Sequence, residues 1–219
     1  MKKSLAFVLV LLASCILRAQ ECSTAWPYLY PSFTEGSVVL NNGTKSQQTL
    51  NVHILHGALH YIDNGIVKEA QLADVLYAQI GDDRYMNVDG QMMKIVASSE
   101  LGFVALQSLG DFERLLEGSG AYGTSNTTSA TRKLSSLEIA GINQNHMEMW
   151  ESRHGGERVN LVNKYFVVVP GGFFEASRRG IESGLDEAGK AAFKSWLKSH
   201  KIKWKEPESL LTLVDFLNQ

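Results

Sequence analysis

Cysteine and proline are scarce in this chain, which has two cysteines and four prolines among 219 residues. Cys15 lies in the apolar N-terminal stretch, so a chain that loses this stretch keeps Cys22 alone. One cysteine cannot form an internal disulfide, and the sequence therefore excludes the small disulfide-stapled folds of many secreted domains. The fold must depend on a hydrophobic core, for which a chain of this length is sufficient.

The chain also lacks an excess of basic residues. It has 21 lysines and arginines against 23 aspartates and glutamates, a formal net charge of −2. Without Lys2, Lys3 and Arg18, which belong to the N-terminal stretch, 18 basic residues oppose 23 acidic ones and the net charge is −5. Nucleic-acid binding depends on a strongly basic surface, so this balance argues against a nucleic-acid partner.

Motifs of the common enzyme classes are missing as well. No serine has the Gly-x-Ser-x-Gly setting of a nucleophile elbow, and His146 is not part of a His-Glu-x-x-His motif. The glycines of residues 118–123 are not followed by the Gly-Lys-Ser/Thr of a phosphate-binding loop. Asp82 and Asp83 follow a glycine and are interpreted as turn residues rather than as an acid–base pair. These absences favour a non-catalytic protein over an enzyme.

Residues 1–19 have the features of a secretory signal peptide. Two lysines near the start precede an apolar run over residues 5–17, and the small Ala19 precedes the expected cleavage point. The run is too short for a spanning helix, so no transmembrane helix is expected in the mature chain. An alternative is a lipoprotein, because residues 12–15 (LASC) fit a bacterial lipobox in which Cys15 is acylated. Both interpretations predict an exported protein, periplasmic or associated with the outer membrane.

Within a predicted β domain of residues 20–116, residues 36–100 consist of short apolar stretches separated by tight-turn dipeptides. Asn42-Gly43, Asn64-Gly65 and Asp89-Gly90 favour the primed turns of β-hairpins. The stretches between them alternate in polarity and are rich in β-branched and aromatic residues. This pattern predicts an antiparallel meander.

One hairpin of this meander carries a histidine cluster. A two-residue turn at His56-Gly57 would place His53 opposite His60, on a face that includes Asn51 and is predicted to be exposed to solvent. Imidazoles about 5 Å apart across two strands can both reach a zinc ion. His53 and His60 are therefore the candidate metal ligands, with zinc as the cofactor. The alternative is a solvated polar face with no cofactor.

Aromatic residues precede the meander. Residues 26–31 (WPYLYP) contain two prolines that favour extended backbone. They are interpreted either as a strand packed against the sheet or as an aromatic binding surface.

The composition changes twice after the meander. Residues 117–131 are mostly glycine, serine and threonine, and predict a flexible loop that is either disordered or ordered by a partner. Strand-like stretches in residues 132–172 would complete the sheet. Residues 173–219 have helical periodicity, beginning with a helix over 174–183. The predicted fold is α+β, with an antiparallel β meander, as an open sheet or partial barrel, followed by a C-terminal pair or trio of short helices.

Lysines are concentrated in this C-terminal segment. Lys190, Lys194 and Lys198 recur every four residues on one predicted helix, and Lys201 follows it. They form either a solvated helix face or a surface that docks on an anionic membrane.

Several segments resemble a group of secreted envelope proteins of Bacteroidetes bacteria. They are residues 30–36 (YPSFTEG), Leu50-Asn51 before a hairpin, residues 120–125 (GAYGTS), and terminal helices that begin near Leu185. The resemblance implies an envelope location and a similar architecture. No function is assigned to that group, so the resemblance implies no activity. The sequence thus predicts a non-catalytic envelope protein that serves as a binding or assembly module for an unknown partner or ligand.

Overall fold

A computed structural model describes residues 23–25, 28–111 and 158–218. These residues form an antiparallel sheet of eleven strands followed by three helices. The strands are β1 (Ser23–Ala25), β2 (Thr34–Leu40), β3 (Lys45–His53), β4 (Ala58–Asp63), β5 (Ile66–Glu69), β6 (Val75–Ile80), β7 (Asp83–Val88), β8 (Gln91–Ser98), β9 (Phe103–Gly110), β10 (Arg158–Val169) and β11 (Gly172–Glu175). The helices are α1 (Arg178–Ser183), α2 (Glu187–Ser199) and α3 (Pro207–Leu217). The predicted α+β class is confirmed.

The sheet is open and is built from two hairpin series. Its order is β1-β10-β9-β8-β7-β6-β2-β3-β4-β5, with β11 also paired to β10. The two series meet at β2, which pairs with both β3 and β6. A 3-10 turn, Leu72–Asp74, leads the chain from the edge strand β5 back to β6.

Two of the three predicted primed turns form. The prediction is wrong at Asn42-Gly43, because only Gly43 has a positive φ angle (82°) and residues 41–44 separate β2 from β3. Asn64 and Gly65 have φ angles of 51° and 79°, and Asp89 and Gly90 have φ angles of 53° and 74°. Both central residues of each turn are thus left-handed, as a type I′ turn requires. They join β4 to β5 and β7 to β8 with no further loop residues.

The sheet curls until the tip of the β3–β4 hairpin meets β8 and β9. The Met92 amide donates to the Gly57 carbonyl over 2.8 Å, and the Gly110 amide donates to the Ile54 carbonyl over 2.9 Å. The strands of the curl enclose a first core. It consists of Val38, Leu50, Val52, Leu59, Val75, Ala78, Ile80, Tyr85 and Met92.

A second core joins the helices to β8, β9 and β10. Its buried residues are Ala97, Val104, Val167, Val169, Ile181, Phe193, Leu210, Leu213 and Val214. As predicted, Asp186 caps α2, where its side chain accepts from the Gly189 amide over 2.7 Å, and Pro207 begins α3.

The prediction of a helix over 174–183 is wrong in its first half. Phe174 lies in β11, opposite Val167 of β10, and the helix begins only at Arg178. The turn after Val169 sends the chain back along β10, and Ser177 then caps α1 by accepting from the Gly180 amide.

Several predicted features lie outside the described residues. They are the signal peptide (1–19) with Cys15, the first two residues of the aromatic segment 26–31, the loop at 117–131, and the part of the 132–172 segment that precedes β10. In the described ranges, none of the helices combines the length and apolar character needed to cross a membrane.

Candidate functional site

The histidine hairpin forms with a longer loop than predicted. His53 pairs with Ala58, and His60 pairs with Asn51, so four residues rather than two connect the strands. The register is shifted by two residues, which keeps each side chain on its predicted face. His53 and His60 are diagonal rather than directly opposite, and their ring centroids are 5.0 Å apart.

The prediction that this face is exposed to solvent is wrong. Asn51, His53 and His60 are all buried. Tyr28 covers them, with its ring centroid 5.6 Å from that of His53 and 5.5 Å from that of His60. Residues 28–33, called the lead-in segment below, therefore pack on the sheet and make a polar face part of the interior.

The hydrogen bonds of His60 assign its tautomer. Its Nε2 lies 3.2 Å from Oε2 of Glu69, and its Nδ1 lies 2.9 Å from the Tyr28 hydroxyl. A carboxylate can only accept, so Nε2 carries the proton and, in the neutral ring, Nδ1 accepts from Tyr28. Burial, followed by the charge of Glu69, raises the pKa of Tyr28, which keeps this phenol a donor.

These contacts bear on the zinc hypothesis. Both ring nitrogens of His60 take part in hydrogen bonds, and a metal would have to displace one of them. In the part of the chain that the structure describes, no three His, Cys, Asp or Glu side chains are grouped so that they could hold a metal ion. Zinc binding at His53 and His60 stays a prediction.

A cleft of about 250 Å³ lies at the other face of β3, inside the curl of the sheet. Its apolar wall consists of Leu29, Val52, Met92, Leu106 and Leu161. Its polar wall consists of Tyr30, Asp83, Tyr85, Lys94, Ser108 and Asn163. The lining comes from the lead-in segment and from β3, β7, β8, β9 and β10, so only the folded sheet assembles it.

A directed chain of hydrogen bonds runs along the polar wall. The Tyr30 hydroxyl donates to Oδ2 of Asp83 over 2.6 Å, and it lies 2.6 Å from the Tyr85 hydroxyl. Because the Tyr30 proton is directed to the carboxylate, Tyr85 is the donor to Tyr30. Lys94 completes the chain, with its Nζ 2.6 Å from Oδ1 of Asp83. This group of four residues is called the Tyr–Asp–Lys chain below.

The ionisation of the Tyr–Asp–Lys chain follows from these contacts. Burial would raise the pKa of Asp83, but the hydrogen bonds from Lys94 and Tyr30 and the charge of Lys94 lower it overall. Burial raises the pKa of Tyr30 far above its ordinary value, and the hydrogen bonds with Asp83 and Tyr85 raise it further. Burial also raises the pKa of Tyr85. At neutral pH the wall presents two neutral phenols, one carboxylate and one ammonium group.

Sequence reasoning missed this site. It assigned Asp83 to a turn, whereas Asp83 begins β7 and its side chain points to Tyr30, 53 positions earlier in the chain. The available signal was the aromatic segment 26–31, for which a binding surface was one of two interpretations. That segment supplies Tyr28 to the histidine face and Tyr30 to the cleft.

The predicted lysine surface is in part already paired. Lys190, Lys194 and Lys198 lie on α2, and Lys201 follows it. The Lys190 ammonium lies 2.7 Å from Oε1 of Glu187, whereas Lys194, Lys198 and Lys201 are exposed.

Comparisons with protein-family models, curated proteins and solved structures found no match to this chain.

Proposed function

We propose that this chain is an exported, non-catalytic binding protein of the bacterial envelope and that the cleft beside the Tyr–Asp–Lys chain is its ligand site. One observation carries the proposal. An apolar wall faces a row of hydrogen-bonding groups whose geometry is fixed by their own contacts, which is the usual composition of a small-molecule site.

The protonation of the wall favours binding over catalysis. The Tyr30 phenol is held neutral and directs its proton to Asp83, so it is a poor nucleophile. Asp83 has a lowered pKa, which makes it a weak base. Such groups recognise a ligand by hydrogen bonds and have little tendency to exchange protons with it.

The proposal can be tested by thermal unfolding of the purified chain with three panels of small molecules: neutral sugars, amino acids and short-chain fatty acids. At least one panel should raise the melting temperature, because a ligand that binds only the folded state stabilises it. Leu161→Trp should abolish the rise because the indole fills the cleft. Val162→Trp, at an exposed neighbouring position that does not line the cleft, should not abolish it. Stabilisation that persists in Leu161→Trp, or conversion of a bound compound to product, would contradict the proposal.

Export is part of the proposal and has its own test. Intact-mass analysis of the protein recovered from the envelope should give an N-terminus at Gln20, as cleavage after Ala19 predicts. A chain that begins at a lipid-modified Cys15 would support the lipoprotein alternative. A chain that retains Met1 in the cytoplasm would contradict both.

Docking to an anionic membrane is a second candidate, favoured by the exposure of Lys194, Lys198 and Lys201. Each lysine near such a surface contributes about 1 kcal/mol. Co-sedimentation with phosphatidylglycerol vesicles should then occur at low salt and be lost at 0.5 M salt or in the Lys194→Gln/Lys198→Gln/Lys201→Gln variant. Vesicle binding that does not depend on the salt concentration would exclude docking through these lysines.

A further inference from the structure

We infer that the cleft binds a single neutral sugar residue, either a monosaccharide or the end of a glycan chain. This inference rests on the proposed function and adds the chemical class of the ligand. It depends on three properties of the cleft: its charge balance, the hydrogen-bonding capacity left on its polar wall, and its size.

The charges of the cleft cancel. Asp83 and Lys94 are the only charged side chains among the lining residues, and their charged atoms are 2.6 Å apart. An anionic ligand would compete with Asp83 for Lys94, and a cationic ligand would compete with Lys94 for Asp83. A neutral ligand leaves the pair intact and avoids the cost of separating two partly buried charges.

The polar wall nevertheless keeps donors and acceptors side by side. An ammonium group has three N–H bonds, of which Asp83 accepts one from Lys94. The Ser108 hydroxyl donates to Oδ1 of Asn163 over 2.7 Å, which leaves the Asn163 amide N–H groups as donors and the Ser108 oxygen as an acceptor at the cleft wall. Sugar hydroxyls donate and accept at once and suit such a mixed row.

The size and the opposite wall agree with this class. Drug-sized ligands occupy clefts of about 300–1,000 Å³, and a cleft of about 250 Å³ accommodates a smaller molecule. The aliphatic wall, which includes Leu106 and Leu161, offers a surface for the C–H face of a pyranose ring. A fatty acid would use this wall but would leave the hydrogen-bonding row unmatched.

Isothermal calorimetry tests the inference with glucose, galactose and N-acetylglucosamine as neutral sugars. The charged probes are the anions glucuronate and hexanoate and the zwitterion leucine. We expect at least one neutral sugar to bind with a Kd at least tenfold lower than that of any charged probe. Lys94→Met should weaken that binding at least tenfold. Lys164→Met, at an exposed position on β10 that does not line the cleft, should change it less than twofold.

A second variant covers the case in which Lys94→Met does not fold. Asn163 is exposed, and Asn163→Leu removes the amide donors without opening a buried cavity. Sugar binding that survives both cleft variants would overturn the inference. Tightest binding of leucine, hexanoate or glucuronate, abolished by Leu161→Trp, would overturn the sugar assignment and leave the proposed function standing. Failure of all six probes and of the three broader panels would overturn both.

Discussion

Asp83 accepts hydrogen bonds from Lys94 and Tyr30 while part of its side chain stays in contact with solvent. These contacts lower its pKa in the folded chain. A carboxyl with a lowered folded pKa stabilises the fold above its unfolded pKa of about 3.9, and this contribution is lost as the pH falls through the folded pKa. Asp83 therefore makes stability depend on pH in the acid range.

We expect Asp83→Asn to lower the free energy of unfolding by about 1 kcal/mol at pH 7. The difference from the wild type should shrink as the pH falls below 4, because the wild-type carboxyl is then protonated as well. Urea denaturation at pH 7, 4 and 2.5 measures this, with Asp82→Asn at the exposed neighbouring position as control. An equal loss of unfolding free energy for Asp83→Asn at every pH would contradict a lowered pKa of Asp83 in the folded chain.

The hydrogen bonds of His60 lead to a second prediction at this scale, which opposes the zinc hypothesis for His53 and His60. Because the two ring nitrogens of His60 are bonded to Tyr28 and Glu69, a tenfold excess of zinc should raise the melting temperature by less than about 1 °C. A marked zinc-induced rise in the melting temperature, lost in His53→Ala, would instead support a metal site.

Tyr28→Phe removes the hydrogen bond between Tyr28 and His60 and should destabilise the fold by about 1–2 kcal/mol.

Single residues also show the limit of sequence reasoning. Asn64-Gly65 and Asp89-Gly90 could be placed because their turn geometry depends on neighbouring residues alone. The partners of Asp83 could not, since Tyr30 and Lys94 reach it only through strand pairing and the curl of the sheet. Burial of His53 and His60 was missed for the same reason, because Tyr28 is distant in sequence.

At the scale of elements, β2 is the strand on which both hairpin series depend. Gly36 lies there between β3 and β6, where a Cβ atom would stand 2.1 Å from the Gln79 carbonyl oxygen. This oxygen belongs to the backbone of β6, so it cannot move aside without disturbing the pairing of β2 with β6.

We expect Gly36→Ala to destabilise the protein by about 2–3 kcal/mol. Gly171→Ala is the matched control, because nothing lies within 4 Å of a Cβ atom there, and its effect should stay within about 0.5 kcal/mol. Chemical denaturation of the two variants measures the difference. Equal stabilities would mean that β2 and β6 are not so close in solution.

Elements differed in how well the sequence predicted them. α2 and α3 were predicted because Asp186 and Pro207 mark their first turns. The sequence predicts helix where β11 forms, since Phe173 and Phe174 gain a strand partner only after the chain reverses at Pro170-Gly171. The sequence predicts a two-residue β3–β4 loop, but contacts of Ile54 with β9 and of Gly57 with β8 hold a loop of four residues.

At the scale of the whole molecule, β8 connects the two cores. Met92 of β8 belongs to the core inside the curl, and Ala97 of the same strand belongs to the core beneath the helices. Loss of the helical layer would expose residues of β8, β9 and β10, which also supply Lys94, Leu106 and Leu161 to the cleft. The two cores should therefore unfold together, and the cleft should lose its ligand in the same transition.

Phe193→Ala tests this coupling at a buried position of α2, 5.3 Å from Phe216 between ring centroids. It should destabilise the protein by about 3–5 kcal/mol. Phe173→Ala, at a ring that is 42% exposed, should destabilise the protein clearly less.

In a chain whose Trp26 and Trp150 are replaced by Phe, fluorescence reports on Trp196 and Trp204 of the helical layer, whereas far-UV circular dichroism near 218 nm reports mainly on the sheet. One cooperative unit requires coincident midpoints for the two signals in both the parent and Phe193→Ala. Loss of fluorescence well before loss of the sheet signal would show that the helical layer unfolds alone, and binding at the cleft would then survive without it.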